Sequence, residues 1–190
     1  MSETDKARDL LLSELREHAL VIGEVTLSSG RTAQYYVDAK RALLRPPAFR
    51  AAGELIAAEA GARGARAVGG MTMGADSLAS AAIGAPGGEG LTAFFVRKDR
   101  KQHGLQRWIE GPLLDAGTPC LVVEDVVTTG GSTVRAIERI GDEGLAVAGV
   151  LAVVDRLAGG AEAIEAAAGG APYRALVTID ELYPERPDRG

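Results

Sequence analysis

Glu124 and Asp125 stand side by side at the end of an apolar run, and Thr128 to Thr133 follow with two glycines and four hydroxyls, in the stretch CLVVEDVVTTGGSTVRAIERI from Cys120 to Ile140. These residue types, in this order, suit a sugar phosphate. Cys120 to Val123 is short, β-branched and apolar on both faces, which predicts a strand of a parallel sheet covered by helices on both sides. The glycines and hydroxyls let the backbone curl and aim several N–H groups at one point. Val134, Ile137 and Ile140 recur at helical spacing, so that point lies at a helix N-terminus, where unpaired amides and the helix dipole favour a phosphate dianion. Two carboxylates would repel a phosphate but readily accept from vicinal hydroxyls, so the ligand implied is a ribose 5-phosphate. A nucleotide triphosphate loop would need GxxxxGK[ST], and no lysine occurs in the segment. The bland alternative, an ordinary βα turn with a Ser/Thr cap, leaves the acid pair unexplained.

A second constellation is RKDRKQHGLQRWIEGP, from Arg97 to Pro112, with Arg97, Lys98, Lys101 and His103 among its first seven residues. Such runs are usually solvated turns. This one is long, contains glycine and leaves an apolar strand, where α/β proteins carry their active-site loops. The chain has a net charge of −5, which argues against nucleic acid as a partner. The basic cluster therefore reads as a local site for a polyanion beyond one ribose phosphate, and pyrophosphate fits.

The elements that must hold these residues can be read in order. Ser2 or Thr4 caps a helix reaching Ala19, with Leu11, Leu12 and Leu15 on one face. Val21 to Asp38 carries two β-like runs around Ser-Ser-Gly, a hairpin or an extended loop. Pro46 and Pro47 open a helix that ends near Gly61 and Gly64. Short apolar runs follow at Ala65–Gly70, Leu91–Val96, Ala146–Val154 and Ala175–Ile179, with an alanine-rich helix near Ala161–Ala168. Gly69 to Ser77 is a second strand-loop-helix whose amides face the same ligand in this reading. Strands alternating with helices predict right-handed βαβ units, a mainly parallel sheet and a ligand site at the strands' carboxyl ends. The 190 residues read as one domain, 1–190, with Cys120 as a core residue. No run approaches the ~18 apolar residues of a membrane span, and the first residues lack a signal peptide's apolar region. A cytoplasmic protein is expected.

Four resemblances sharpen this reading. The Cys120–Ile140 stretch is similar to the phosphoribosyl-pyrophosphate signature of type I phosphoribosyltransferases. RK followed by K, H and G, then IEG, resembles the catalytic loop of the orotate phosphoribosyltransferases within that fold. SGRTAQYYVDAKRALL at Ser29–Leu44 resembles the family's substrate hood, and VVDR at Val153–Arg156 its base-recognition corner, so the likeness spans most of Gly23 to Arg156.

The resemblance implies the type I phosphoribosyltransferase fold, a mainly parallel twisted sheet flanked by helices. A small N-terminal hood would be formed by about 1–44 and the C-terminal segment. It implies transfer of the phosphoribosyl group of phosphoribosyl pyrophosphate to orotate, in pyrimidine (UMP) biosynthesis. Arg97, Lys98, Lys101 and His103 would meet pyrophosphate, with Lys98, Lys101, His103 and Asp125 catalytic. Glu124 and Asp125 would hold the ribose hydroxyls, and Val126, Val127, Thr128, Thr129, Gly130, Gly131 and Ser132 the 5-phosphate. Thr128, Arg156 and Tyr36 would meet orotate. Mg²⁺ is the implied cofactor, carried by substrate oxygens with few protein ligands, and the implied assembly is a homodimer whose loop reaches the partner's site. The chain departs from the pattern at Ser28, where many relatives have lysine, and at Thr72 and Met73, where they have Tyr-Lys; Lys40 and Arg41 are candidate replacements for the lost charge. A phosphoribosyltransferase for uracil or a purine, and a regulator that keeps the site as a sensor, stay open as alternatives.

Overall fold

The computed structural model describes residues 2–26, 32–99 and 107–189. Helix α1 (Glu3–His18) starts at a capping box in which Ser2 and Asp5 bind each other's backbone N–H groups, and it buries Leu11 and Leu15. It leads into β1 (Leu20–Thr26) and β2 (Thr32–Val37), an antiparallel pair that forms its own small sheet. The pair is a hairpin, as the runs around Ser-Ser-Gly allowed. A short helix α2 (Lys40–Leu43) and the long α3 (Pro46–Ala62) follow, the latter opened by proline where a helix needs no N–H donor.

From there strand and helix alternate: β3 (Ala67–Met71), α4 (Asp76–Gly84), β4 (Thr92–Val96), β5 (Ile109–Glu110), β6 (Pro119–Val127), α5 (Gly131–Asp142), β7 (Ala146–Asp155), α6 (Gly160–Ala167), β8 (Tyr173–Thr178) and α7 (Ile179–Leu182). Their strands make one sheet in the order β5-β4-β3-β6-β7-β8, parallel throughout except for β5, which pairs antiparallel with β4. Because side chains alternate along a strand, β6 serves both faces. Leu121 and Val123 join the core under α1, α3 and α4, while Cys120 and Val122 join Ala136, Ile137, Ile140 and Ile164 under α5 and α6. The α/β architecture with a mainly parallel sheet is the one expected, and Cys120 is the buried core residue expected.

Three boundaries differ from the sequence reading. β6 runs on through both acids to Val127, because pairing of Glu124 with Ala152, Val126 with Val154 and Val127 with Asp155 satisfies the backbone whatever the side chains are. The last strand starts at Tyr173 and stops at Thr178, where a Thr178–Glu181 capping box turns Ile179 into a helix start. The segment read as one loop to Pro112 rejoins the sheet at Ile109, where β5 is too short to carry a periodic signal.

Candidate active site

The alternation of β6 sends its two acids in different directions. Glu124 follows Cys120 and Val122 toward α5, where its Oε2 accepts from Ser132 Oγ at 2.8 Å and Thr133 Oγ1 at 2.9 Å. Asp125 follows Leu121 and Val123 to the other side, where its Oδ2 accepts from Lys40 Nζ at 2.9 Å and its Oδ1 from the Val126 N–H at 2.9 Å. Both carboxylates are buried. Desolvation is the main reason that the Glu124 carboxyl is pushed up to about 7, with the two hydroxyls pulling it down and the Asp125 charge pushing further up. Lys40 loses some proton affinity to desolvation, but hydrogen bonding and charge pairing with Asp125 and with Asp38 together outweigh that and hold its ammonium above the ordinary value.

Gly74, in the loop after β3, closes on this pair. A Cβ there would come within 2.5 Å of Asp125 Oδ1 and 3.0 Å of Glu124 Oε1. The glycine-bearing segment Gly69–Ser77 thus reaches the same place as the acid pair. In it Thr72 Oγ1 donates to Asp76 Oδ2 at 2.7 Å, and Met73 is exposed. Ser28, the other departure, lies outside the described residues.

After Asp125, Val126 and Val127 complete the strand, and Thr128 and Thr129 are exposed on the turn. Gly130 caps α5 with φ +77°, a conformation that favours glycine. Its space is also limited, since a Cβ would lie 2.8 Å from the Gly160 carbonyl oxygen at the start of α6. Gly131 and Ser132 begin α5, so the turn presents its amides at a helix N-terminus. Ser132 holds Glu124 as well as facing this turn, a double duty that the spacing of residues did not reveal.

Across from the turn, Tyr36, Val37, Lys40, Asp125, Val126, Thr128 and Arg156 line one cleft. Tyr36 is 39% exposed there, whereas its neighbour Tyr35 is 3% exposed and is the core tyrosine of the hairpin. Arg156 makes no ion pair with Asp155. Asp155 accepts instead from the Leu157 N–H at 2.7 Å and Tyr173 Oη at 2.8 Å, and the Arg156 guanidinium bonds Tyr35 Oη.

The basic segment is described only at its ends; Lys101 and His103 lie outside the described residues. Arg97 Nη1 pairs with Glu110 Oε1 at 2.9 Å, and Lys98 is exposed just beyond it. The returning end is held by α5, with the Arg139 guanidinium 4.3 Å from the centroid of the Trp108 ring and Glu143 accepting the Trp108 N–H at 2.7 Å. Lys40, Tyr35 and Arg139 thus enter the neighbourhood of the site without a sequence signal of their own, beyond the cationic candidate at Lys40.

No family model matches the chain. Its relatives are informative. It is 46% identical over 177 residues to an orotate phosphoribosyltransferase of Corynebacterium glutamicum, covering 93% of this chain and 94% of that protein. It is 47% identical over 180 residues to an orotate phosphoribosyltransferase of Streptomyces avermitilis, covering 94% and 98%. Among solved structures, the Mycobacterium tuberculosis orotate phosphoribosyltransferase in complex with 5-phospho-alpha-D-ribosyl 1-diphosphate superposes with a TM-score of 0.78 at 40% identity, over 93% of this chain and 98% of that one. The Trypanosoma brucei adenine phosphoribosyltransferase, at 13% identity and a TM-score of 0.72, shares the fold.

Proposed function

The chain belongs to the orotate phosphoribosyltransferases, and on that premise we propose how its own residues carry the transfer. The bond between the anomeric carbon and pyrophosphate breaks and a bond to a ring nitrogen of orotate forms. The nitrogen's proton is released, and orotidine 5'-phosphate and pyrophosphate leave. One observation carries the assignment of roles: Asp125 of the acid pair, Thr128 of the hydroxyl-rich turn, Lys40, Tyr36 and Arg156 line a single cleft.

In this scheme the amides and hydroxyls from Val126 to Ser132 hold the 5-phosphate at the α5 N-terminus. Glu124 and Asp125 accept from the ribose hydroxyls and fix the ring in line for displacement. The anomeric centre passes through an oxocarbenium-like state, as in glycoside cleavage, so the protein's main work is alignment and charge neutralisation. Arg97, Lys98, Lys101 and His103 serve the charge on departing pyrophosphate. Lys40, already at Asp125, brings to this wall of the cleft a cation that Ser28 and Met73 do not. Arg156 meets the base's carboxylate through its planar donor fork, Tyr36 packs on the ring, and Thr128 touches its edge.

Magnesium fits this donor set. Among the described residues no group of three or more His, Cys, Asp and Glu side chains could hold a metal alone, yet two adjacent carboxylates beside substrate hydroxyls and phosphates make the all-oxygen surroundings that Mg²⁺ prefers. Glu124 and Asp125 would hold it together with the substrate, and when bound it neutralises charge on the pyrophosphate.

The same reading makes the protein a cytoplasmic homodimer with sites shared between subunits. About 1–44 and the segment after α7 then form a hood on a single domain. The separate β1–β2 sheet supports that division, as do the bonds of Arg8 and Arg16 in α1 to Glu181 in α7. Among the described residues no helix is long and apolar enough to cross a membrane.

The test is pyrophosphate release with orotate, uracil and hypoxanthine in parallel, each with and without excess chelator. Turnover with orotate alone, lost in chelator, is expected. Equal turnover on another base would remove the base assignment, and undiminished turnover in chelator would remove magnesium.

A further inference from the structure

Arg156 is backed by a chain of contacts that leads away from the cleft. Its Nη2 donates to Tyr35 Oη at 3.0 Å, and its Cζ lies 4.9 Å from the centroid of the Tyr35 ring. Tyr35 has one phenolic proton to give. Desolvation holds the phenol above its ordinary pKa, so the proton stays on at neutral pH. Its acceptor is the Asp188 carboxylate, whose two oxygens lie 3.0 and 3.1 Å away. The polarity of the chain follows: Arg156 donates to Tyr35, and Tyr35 donates to Asp188. Tyr183 stands edge-on to the Tyr35 ring at 5.3 Å and 84°, and Arg186 holds Asp188 from the far side at 3.1 Å. The segment after α7 is thereby folded against the back of the residue that faces the cleft.

We propose that Tyr35 and Asp188 are positioning residues for base selection, fixing the plane of the Arg156 guanidinium before the base arrives. This rests on the reading above that Arg156 meets the base's carboxylate. A free arginine side chain carries much rotamer entropy, and a side chain locked in advance need not lose it on binding. The lock leaves donors over for the ligand, since the bond to Tyr35 runs from Nη2 alone and a guanidinium carries five N–H donors. Specificity for the acidic base is then partly set by a segment that need not touch it.

Steady-state kinetics on Tyr35→Phe, Asp188→Asn, Arg156→Ala and the double variant Tyr35→Phe/Arg156→Ala test this, with thermal melts confirming that each variant folds. Phenylalanine keeps the ring under the guanidinium and removes only the hydroxyl. KM for orotate should rise about tenfold in Tyr35→Phe, in keeping with one bond to a charged group, while KM for phosphoribosyl pyrophosphate stays within about twofold. Asp188→Asn should move the same constant in the same direction by less. In the Arg156→Ala background, Tyr35→Phe should change nothing further, because its effect passes through Arg156. An unchanged orotate KM in Tyr35→Phe, an equal rise for both substrates, or an additive effect in the double variant overturns the proposal while the base site stands. If Arg156→Ala itself leaves orotate use intact, the base-site reading falls and the positioning role falls with it.

Discussion

Glu124 places a cost on the empty enzyme that can be measured. Its carboxyl titrates at about 7 in the folded chain, chiefly because it is desolvated, against an ordinary 4.5. Below pH ~4.5 it is protonated whether the chain is folded or not. Between ~4.5 and ~7 the folded chain keeps a proton that the unfolded chain has released, so this residue's contribution to stability falls as pH rises through that window. Above ~7 both forms are ionised, and the penalty is about 3 kcal/mol at 1.36 kcal/mol per pH unit. Glu124→Gln removes the charge and keeps the shape, with Ser132 and Thr133 hydroxyls free to reorient toward the amide. Calorimetric melts of the ligand-free wild type and variant from pH 4 to pH 8 follow the effect of the acid pair, since titrations away from that pair cancel in the difference. The two proteins should melt close together near pH 4, with the variant gaining steadily to about 3 kcal/mol at pH 8, roughly 6–12 °C for a chain of this length. Affinity for phosphoribosyl pyrophosphate should move the opposite way, falling about tenfold or more as an anionic acceptor for the ribose diol is lost. A stability gap that does not change with pH, or a wild type that is the more stable at pH 8, would refute the reasoning.

Gly74→Ala should weaken phosphoribosyl-pyrophosphate binding about tenfold or more with the fold retained, because the new methyl meets the carboxylates of Asp125 and Glu124 at 2.5 and 3.0 Å; unaltered affinity by isothermal titration would show that the acids move aside freely. Lys101→Ala should lower kcat by roughly 10²–10³ with little change in ligand affinity, since a cation at departing pyrophosphate acts on charge that grows in the transition state. A raised KM at constant kcat would assign Lys101 to ground-state binding instead. For the shared site, Lys101→Ala and Asp125→Asn subunits refolded together in equal amounts form mixed dimers with one intact site each, so about a quarter of wild-type activity should return. No recovery in samples shown to contain mixed dimers would place each loop over its own subunit's site.

The local pattern of the chain determined a good deal by itself. Cys120 to Val123 is apolar on both faces because β6 lies in the middle of a covered parallel sheet, and Gly130 is a glycine because it adopts a left-handed conformation against the start of α6. Those are short-range constraints, written in residue type and spacing. The acid pair was legible for the same reason, as adjacent residues between a strand and a turn. What adjacency could not tell is that the two acids take different protein partners. The pleat sends Glu124 to the hydroxyls of α5 and Asp125 to Lys40, 85 residues away in sequence. Nor could it find Tyr35 behind Arg156, or Asp188 behind Tyr35, since their separations of 121 and 153 residues carry no periodicity. Such pairings arise when the sheet order brings strand ends together and the hairpin and last helix pack beside them. Their energies come from burial and from direction, and only the tertiary structure decides those.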